Sequence, residues 1–194
     1  MSRVLVTYAT NAGSTTEVAE AAAEALAANG HEVDTHPISE VDSLEPYDAV
    51  VVGAPMILGW HTRARRFVRR NRKSLSAKKV AYFACAMTLT QDMEECSADI
   101  PLMLDPNLVS DPVKDGSLNI KERFTSLSLY LKPMLGAAPD IEPASVAFFH
   151  GKLDMTRLKW WQALFVMVVV QAVPGDYRDW DAIRAWAGSL SAQL

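Results

Sequence analysis

Residues 3–17 read Arg3-Val4-Leu5-Val6-Thr7-Tyr8-Ala9-Thr10-Asn11-Ala12-Gly13-Ser14-Thr15-Thr16-Glu17: a short apolar run, a loop of hydroxyls and small residues, then the start of an alanine-rich stretch. Arg3 to Tyr8 has the length and β-branched content of a buried strand. Thr15 to Asn29 reads as a helix. Hydroxyls at Ser14, Thr15 and Thr16 are available to cap it, Glu17 and Glu20 suit its positive end, and Gly30 is placed to end it.

The same alternation continues outward. Glu32 to His36 is a weaker, edge-like strand before Pro37, and Asp48 to Gly53, with Val50-Val51-Val52, is a central one. Thr62 to Asn71 is a basic helix, Lys79 to Ala86 a fourth strand, Ile120 to Leu135 a helix and Ser145 to His150 a fifth strand. Trp180 to Leu190 closes the chain, with Ile183, Trp186 and Leu190 at helical spacing behind Asp179 or Asp181 as cap. Strands alternating with helices imply right-handed crossovers and an α/β fold, a five-stranded parallel sheet covered on both faces, for which 2-1-3-4-5 is the common order. Residues 1–194 make a single domain. Two segments exceed ordinary connections: about 92–119 after strand four, with Pro101, Pro106, Pro112 and Gly116, and 153–173 after strand five.

Composition narrows the class without assigning a function. With 49% hydrophobic and 22% charged residues the chain is globular rather than disordered. Cys85 and Cys96 are not in metal-binding spacing and His31, His36, His61 and His150 form no paired-ligand pattern, so neither a disulfide framework nor a zinc site is expected, and a reducing, cytoplasmic compartment fits best. Met1 to Tyr8 is too short an apolar run for a signal-peptide core. Net charge −4 argues against a general nucleic-acid binder. That total hides Arg63, Arg65, Arg66, Arg69, Arg70, Arg72 and Lys73, which follow one another without an acid between them. Mean hydropathy is +0.03, and much of the apolar excess sits in Trp160 to Val173, too short to span a bilayer.

In such a sheet a ligand sits at the carboxyl ends of the strands where the order reverses, between strands one and three. The loops there are Ala9 to Thr16 and Ala54 to Thr62. A dinucleotide fingerprint needs several glycines after strand one, and only Gly13 is present. A nucleoside-triphosphate loop needs Gly-Lys-Ser/Thr before a helix, whereas Gly151-Lys152 precedes Leu153. A phospho-acceptor domain needs an aspartate where strand three ends in Gly53-Ala54-Pro55. What remains is a hydroxyl loop entering a helix N-terminus, which suits a dianionic phosphate held by N–H groups, hydroxyls and the helix dipole, or a plain helix cap.

Tyr8-Ala9-Thr10-Asn11-Ala12-Gly13-Ser14-Thr15-Thr16-Glu17 resembles the FMN-phosphate loop of flavodoxins, and the resemblance implies a flavodoxin-like three-layer sandwich. Gly53-Ala54-Pro55-Met56-Ile57-Leu58-Gly59-Trp60-His61 and Ala86-Met87-Thr88-Leu89 resemble the two loops that flank the flavin. The resemblance implies that Thr10, Asn11, Ala12, Gly13, Ser14 and Thr15 hold the phosphate, that Pro55, Met56, Ile57, Leu58, Gly59 and Trp60 line one edge of the ring, and that Met87, Thr88 and Leu89 line the other. Flavodoxins usually carry threonines where this chain has Asn11 and Ala12. More narrowly, the Gly-Ala-x-x-x-x-Gly-x-His run at 53–61, the Phe-Val-basic helix at 67–73, Gly-x-Leu at 151–153, the Arg/Trp-rich insertion at 157–173 and Asp179-Trp180 are similar to quinone-dependent protoporphyrinogen oxidases of heme biosynthesis. That similarity implies an FMN-dependent oxidoreductase passing electrons from a bulky apolar substrate to menaquinone. The alternative is a flavodoxin-type electron carrier serving a redox protein, and a third is a domain that has lost FMN.

Several residues keep two readings. Trp60 either stacks on the flavin or packs at a helix cap. His61 either donates near the ring or is a surface histidine, and no residue is assigned as catalytic. Cys85 reads as a buried strand residue and Cys96 as a bystander. Like charges at helical neighbours destabilise a helix, so Arg63–Lys73 needs an anionic complement: acidic groups of the fold or a partner, lipid headgroups, or substrate carboxylates. Leu153–Val173, with Arg157, Lys159, Trp160 and Trp161 before an apolar run, is either a core helix or an interfacial element. The second alternative places the protein peripherally at the inner face of the membrane. The sequence leaves the oligomeric state open.

Overall fold

The strand Arg3–Tyr8 (β1) runs through the middle of the sheet, and its alternating side chains serve both faces: Leu5 enters one apolar cluster, Val4 and Val6 the other. The computed structural model describes residues 1–57, 59–92, 100–113, 117–154, 160, 164, 167, 168 and 173–194. β1 pairs in parallel with Glu32–Pro37 (β2) on one side and Ala49–Pro55 (β3) on the other. β3 pairs with Lys79–Ala86 (β4), and β4 with Ser145–His150 (β8). These five strands follow the expected 2-1-3-4-5 order.

The sheet has a sixth strand. Leu102–Leu104 (β6) adds to the outer side of β8 in parallel register, giving β2-β1-β3-β4-β8-β6. The segment read as a loop-rich insertion therefore supplies the sheet edge. It also supplies Val109–Ser110 (β7), which pairs with Leu89–Thr90 (β5). The prolines that signal a loop, Pro101 and Pro106, flank β6 rather than interrupt it, as an edge strand permits.

Helix α1, Ser14–Ala28, packs with the last helix, Trp180–Ser191 (α6), on one face through Val18, Ala22, Leu26, Ile183, Trp186 and Leu190. On the other face lie Thr62–Arg70 (α2) and Leu127–Leu135 (α5). The single helix expected over Ile120–Leu135 is two, Ile120–Thr125 (α4) and α5. Ser126 between them is extended, bridges to Thr90, and accepts the Leu129 N–H to cap α5. A four-residue turn, Arg72–Leu75 (α3), follows α2. Of the two candidates for the α6 cap, Asp179 is the one: its carboxylate accepts from the N–H groups of Asp181 and Ala182 at 3.0 and 2.9 Å.

Segment 153–173 leaves the fold through Lys152–Leu153 (β9) and returns through the antiparallel strand Gly175–Asp176 (β10). Most of its residues lie outside those described. The described ones between the two strands carry exposed apolar side chains, from Trp160 at 79% and Leu164, Met167 and Val168 to Val173 at 68%. Cys85 lies buried in β4, where burial pushes its thiol up to about 12 against smaller opposing effects of Thr15 and Arg178. Cys96 is outside the described residues. Among the described residues no helix is long and apolar enough to cross a membrane and no three His, Cys, Asp or Glu side chains group to hold a metal.

Candidate functional site at the carboxyl ends of β1, β3 and β4

The loop after β1 begins where the Ala9 N–H donates to the Gly53 carbonyl at 2.9 Å, so the first and third strands stay locked as their loops diverge. Gly13 N–H donates to Thr10 Oγ1 at 2.8 Å, and Thr16 N–H to the Gly13 carbonyl at 3.1 Å. Gly13, at φ +89°, is itself the N-cap, and no side chain caps α1. The expected capping by Ser14, Thr15 or Thr16 is thus corrected. The chain enters the helix through a left-handed turn that suits glycine, which puts all three hydroxyl residues inside the first turn. A first turn without a side-chain cap leaves the Ser14 and Thr15 N–H groups available to an anion.

Thr15 carries the clearest sign of a missing partner. Its side chain is wholly buried, and Oγ1 makes no hydrogen bond to a nitrogen or oxygen; the Cys85 thiol beside it, whose pKa it lowers, is a weak partner. Buried hydroxyls are rarely left unsatisfied, so this one suits a ligand oxygen at the helix start. The residues present fit a phosphate in this loop.

The loop after β3 is a tight reversal. Met56 N–H donates to the Cys85 carbonyl, Met56 and Trp60 form an antiparallel bridge, and Ile57 N–H reaches the Gly59 carbonyl with Gly59 at φ +100°. Leu58 lies outside the described residues. Pro55 and Ile57 are half-buried and Met56 is buried. Trp60 does not present its face to the crevice: it is 2% exposed, and its ring packs on Tyr82 with centroids 5.3 Å apart. The bridge to Met56 turns the indole into the core, so packing replaces the expected stacking in this structure.

After β4, Met87 and Thr88 are half-buried at the sheet end, and the Thr88 carbonyl accepts the Tyr130 hydroxyl at 3.4 Å. Leu89 is wholly buried and opens β5. It faces the core rather than the crevice because β5 is tied to β7. The neighbouring β8 end is joined here too, through Gly151 N–H to the Ala86 carbonyl at 2.8 Å.

His61 closes the β3 loop. Its Nδ1 accepts the Arg63 N–H at 3.2 Å and so caps α2, while its Nε2 meets Asn11 Oδ1 at 3.1 Å. Burial first, then the Arg63 charge, holds its pKa below the ordinary histidine value. Beyond it, α2 buries Ala64, Phe67 and Val68 and exposes Arg63, Arg65, Arg66, Arg69 and Arg70. Arg72 pairs with Asp140. The other six cations of the run have no ion pair among the described residues.

One residue of the site has no signal in the local sequence of either loop. Arg178, from the segment before α6, buries its guanidinium to 2% exposure beside the α1 start. It bonds the Ser14 carbonyl at 3.2 Å, Glu17 at 2.9 Å and Asp176 at 2.6 Å, and lies 4.5 Å over the Trp180 ring. Burial works against its charge, yet Asp176 and Glu17 outweigh it and raise the pKa. Because both carboxylates stay partly exposed, removing the arginine costs packing and charged hydrogen bonds rather than stranding buried anions. Arg178→Ala is expected to lower stability by about 2–3 kcal/mol and the melting temperature by about 5–10 °C. A thermal melt checks this, and a change under 2 °C contradicts it.

A family model described as Flavodoxin domain matches residues 5–179. Among solved structures, the chain is similar to a flavodoxin of Streptococcus pneumoniae TIGR4, at 12% identity, TM-score 0.53 and 99% coverage of both chains. It is also similar to a short-chain flavodoxin associated with a bacterial microcompartment, at 24% identity and TM-score 0.39, covering 44% of this chain and 62% of that one. A third is a Fusobacterium nucleatum flavodoxin bound to flavin mononucleotide, at 15% identity and TM-score 0.37, covering 44% of this chain and 53% of that one. These last two alignments span less than two thirds of the known chains. No curated protein matches the chain.

Proposed function

The chain belongs to the flavodoxin-domain family, and on that premise we propose that it is an FMN-dependent oxidoreductase that oxidises a bulky apolar reduced substrate and passes the electrons to a quinone at a membrane surface. The cofactor part rests on the buried Thr15 hydroxyl, which bonds no nitrogen or oxygen. Thr10, Thr15 and the N–H groups of the first turn of α1 would hold the phosphate, and the Pro55–Gly59 and Met87–Thr88 loops would flank the ring. FMN, when bound, supplies a two-electron relay. In each cycle the substrate loses two electrons and two protons and one quinone gains them as a quinol, so a porphyrinogen reaches its porphyrin in three cycles.

Two surface features support the membrane and substrate part. Six cations without ion pairs among the described residues begin directly at a flavin-flanking loop, and Trp160, Leu164, Met167 and Val168 expose apolar surface. Unpaired cations and exposed apolar groups on one chain suit an anionic bilayer and the lipophilic molecules in it. Replacing Arg65, Arg66, Arg69 and Arg70 by glutamine is expected to weaken binding to phosphatidylglycerol-containing vesicles about a thousandfold, at about 1 kcal/mol per charge. Sedimentation with vesicles reads this out. Equal binding by the variant contradicts a charge-driven surface.

The enzymatic test is oxidation of a porphyrinogen with menaquinone as acceptor, followed by the appearance of porphyrin fluorescence. Family membership also favours a second reading, an electron carrier for a redox protein. Reduction by a reductase with no small substrate oxidised would select that reading.

A further inference from the structure

Asn11 stands in the loop after β1 and His61 in the loop after β3, fifty positions apart, yet their side chains meet at 3.1 Å. The tautomer follows from the other ring nitrogen. Nδ1 accepts the Arg63 N–H, so it carries no proton, and in the neutral ring the proton is on Nε2 and is donated to Asn11 Oδ1. Burial and the adjacent Arg63 favour that neutral form. A primary amide has one accepting and one donating end. With Oδ1 held by His61, the end of Asn11 left for a ligand is the NH2 group.

We propose that His61 is a positioning residue for the phosphate loop, fixing the Asn11 amide so that it offers donors, not its carbonyl, to the FMN phosphate. The inference rests on the FMN reading above and adds what that reading lacks, a role for an amide where a hydroxyl was expected. A reversed amide would set a carbonyl oxygen against a dianion. The pair also ties the two loops of the crevice together, so the cap of α2 and the phosphate site share one side chain.

The test measures FMN and riboflavin affinity by quenching of flavin fluorescence in the full chain. Riboflavin lacks the phosphate, so a merely structural defect weakens both ligands whereas a phosphate-positioning defect weakens only FMN. His61→Asn keeps a side chain suited to capping α2 and loses the reach to Asn11. It is expected to weaken FMN about tenfold, the scale of one charge-assisted hydrogen bond, with riboflavin unchanged. Asn11→Ala, at an exposed position that leaves the fold intact, is expected to match it. The double variant is expected to be no worse than either single one, and His61→Gln, which retains a donor near Nε2, to stay within about twofold of the parent chain. Losses that multiply in the double variant, or that fall equally on riboflavin, overturn the proposal. A parent chain that binds riboflavin but not FMN overturns it as well; one that binds neither overturns the FMN reading itself.

Discussion

Gly53→Ala is expected to bring the urea and thermal midpoints far below those of the parent chain. A Cβ built at Gly53 would lie 1.9 Å from Phe83 Cζ and 2.2 and 2.5 Å from the two neighbouring ring carbons. Flexible side chains relieve such overlaps, but Phe83 is wholly buried and boxed by Phe149 and Trp186, with ring centroids at 6.1 and 6.0 Å. The backbone has no more freedom, because β3 is hydrogen-bonded on both sides. Overpacking of this kind costs about 3 kcal/mol or more, a large share of the stability of a domain whose total is about 5–15 kcal/mol. Urea denaturation is expected to show the midpoint collapse with little change in slope. Trimming the ring in Gly53→Ala/Phe83→Leu is expected to recover part of the loss. A Gly53→Ala melting temperature within 2 °C of the parent would mean that the β3–β4 contact is not as close as described.

Thr15→Val separates cofactor binding from folding. The replacement keeps shape and removes a buried hydroxyl whose neighbour is the weakly bonding Cys85 thiol, so stability should hold within about 1 kcal/mol. If that hydroxyl donates to phosphate, FMN affinity should fall about 10- to 100-fold, the worth of one hydrogen bond to a charged group. Riboflavin affinity should not move. Isothermal titration with both flavins reads the difference. Unchanged FMN affinity would detach Thr15 from the phosphate, and equal loss for both flavins would point to a distorted loop.

The elements legible in the sequence were those whose own pattern determines them. β1, β3, β4 and β8 are apolar runs buried on both faces, and α1 and α6 carry their cores at helical spacing. The location of the candidate crevice, at the loops after β1 and β3, followed from strand order. Elsewhere a distant contact settled the outcome. The direction of Trp60 depends on a bridge to Met56 and on Tyr82 across the sheet, neither visible in the Gly-Trp-His run. Leu102–Leu104 is a strand because β8 offers a free edge, and three apolar residues between prolines do not announce it. Asn11 reads in the sequence as an amide in place of a hydroxyl, and nothing there pairs it with His61. Arg178 reaches the helix start from 164 positions away, and only its spacing from Asp176 hinted at a local pair.

The charge pattern had the same limit. Residues 63–73 predict an anionic complement but not its source, and among the described residues Arg72 alone of the seven finds an ion pair. Among the described residues no acidic group pairs with the other six cations, and an anionic surface is the complement proposed for them.

The visible absorbance spectrum, recorded after mixing the purified chain with FMN and removing free flavin by gel filtration, tests the central claim most directly. Flavin bands between roughly 350 and 500 nm are expected, retained by the protein at about one flavin per chain. A folded chain that elutes colourless after saturation with FMN would contradict it.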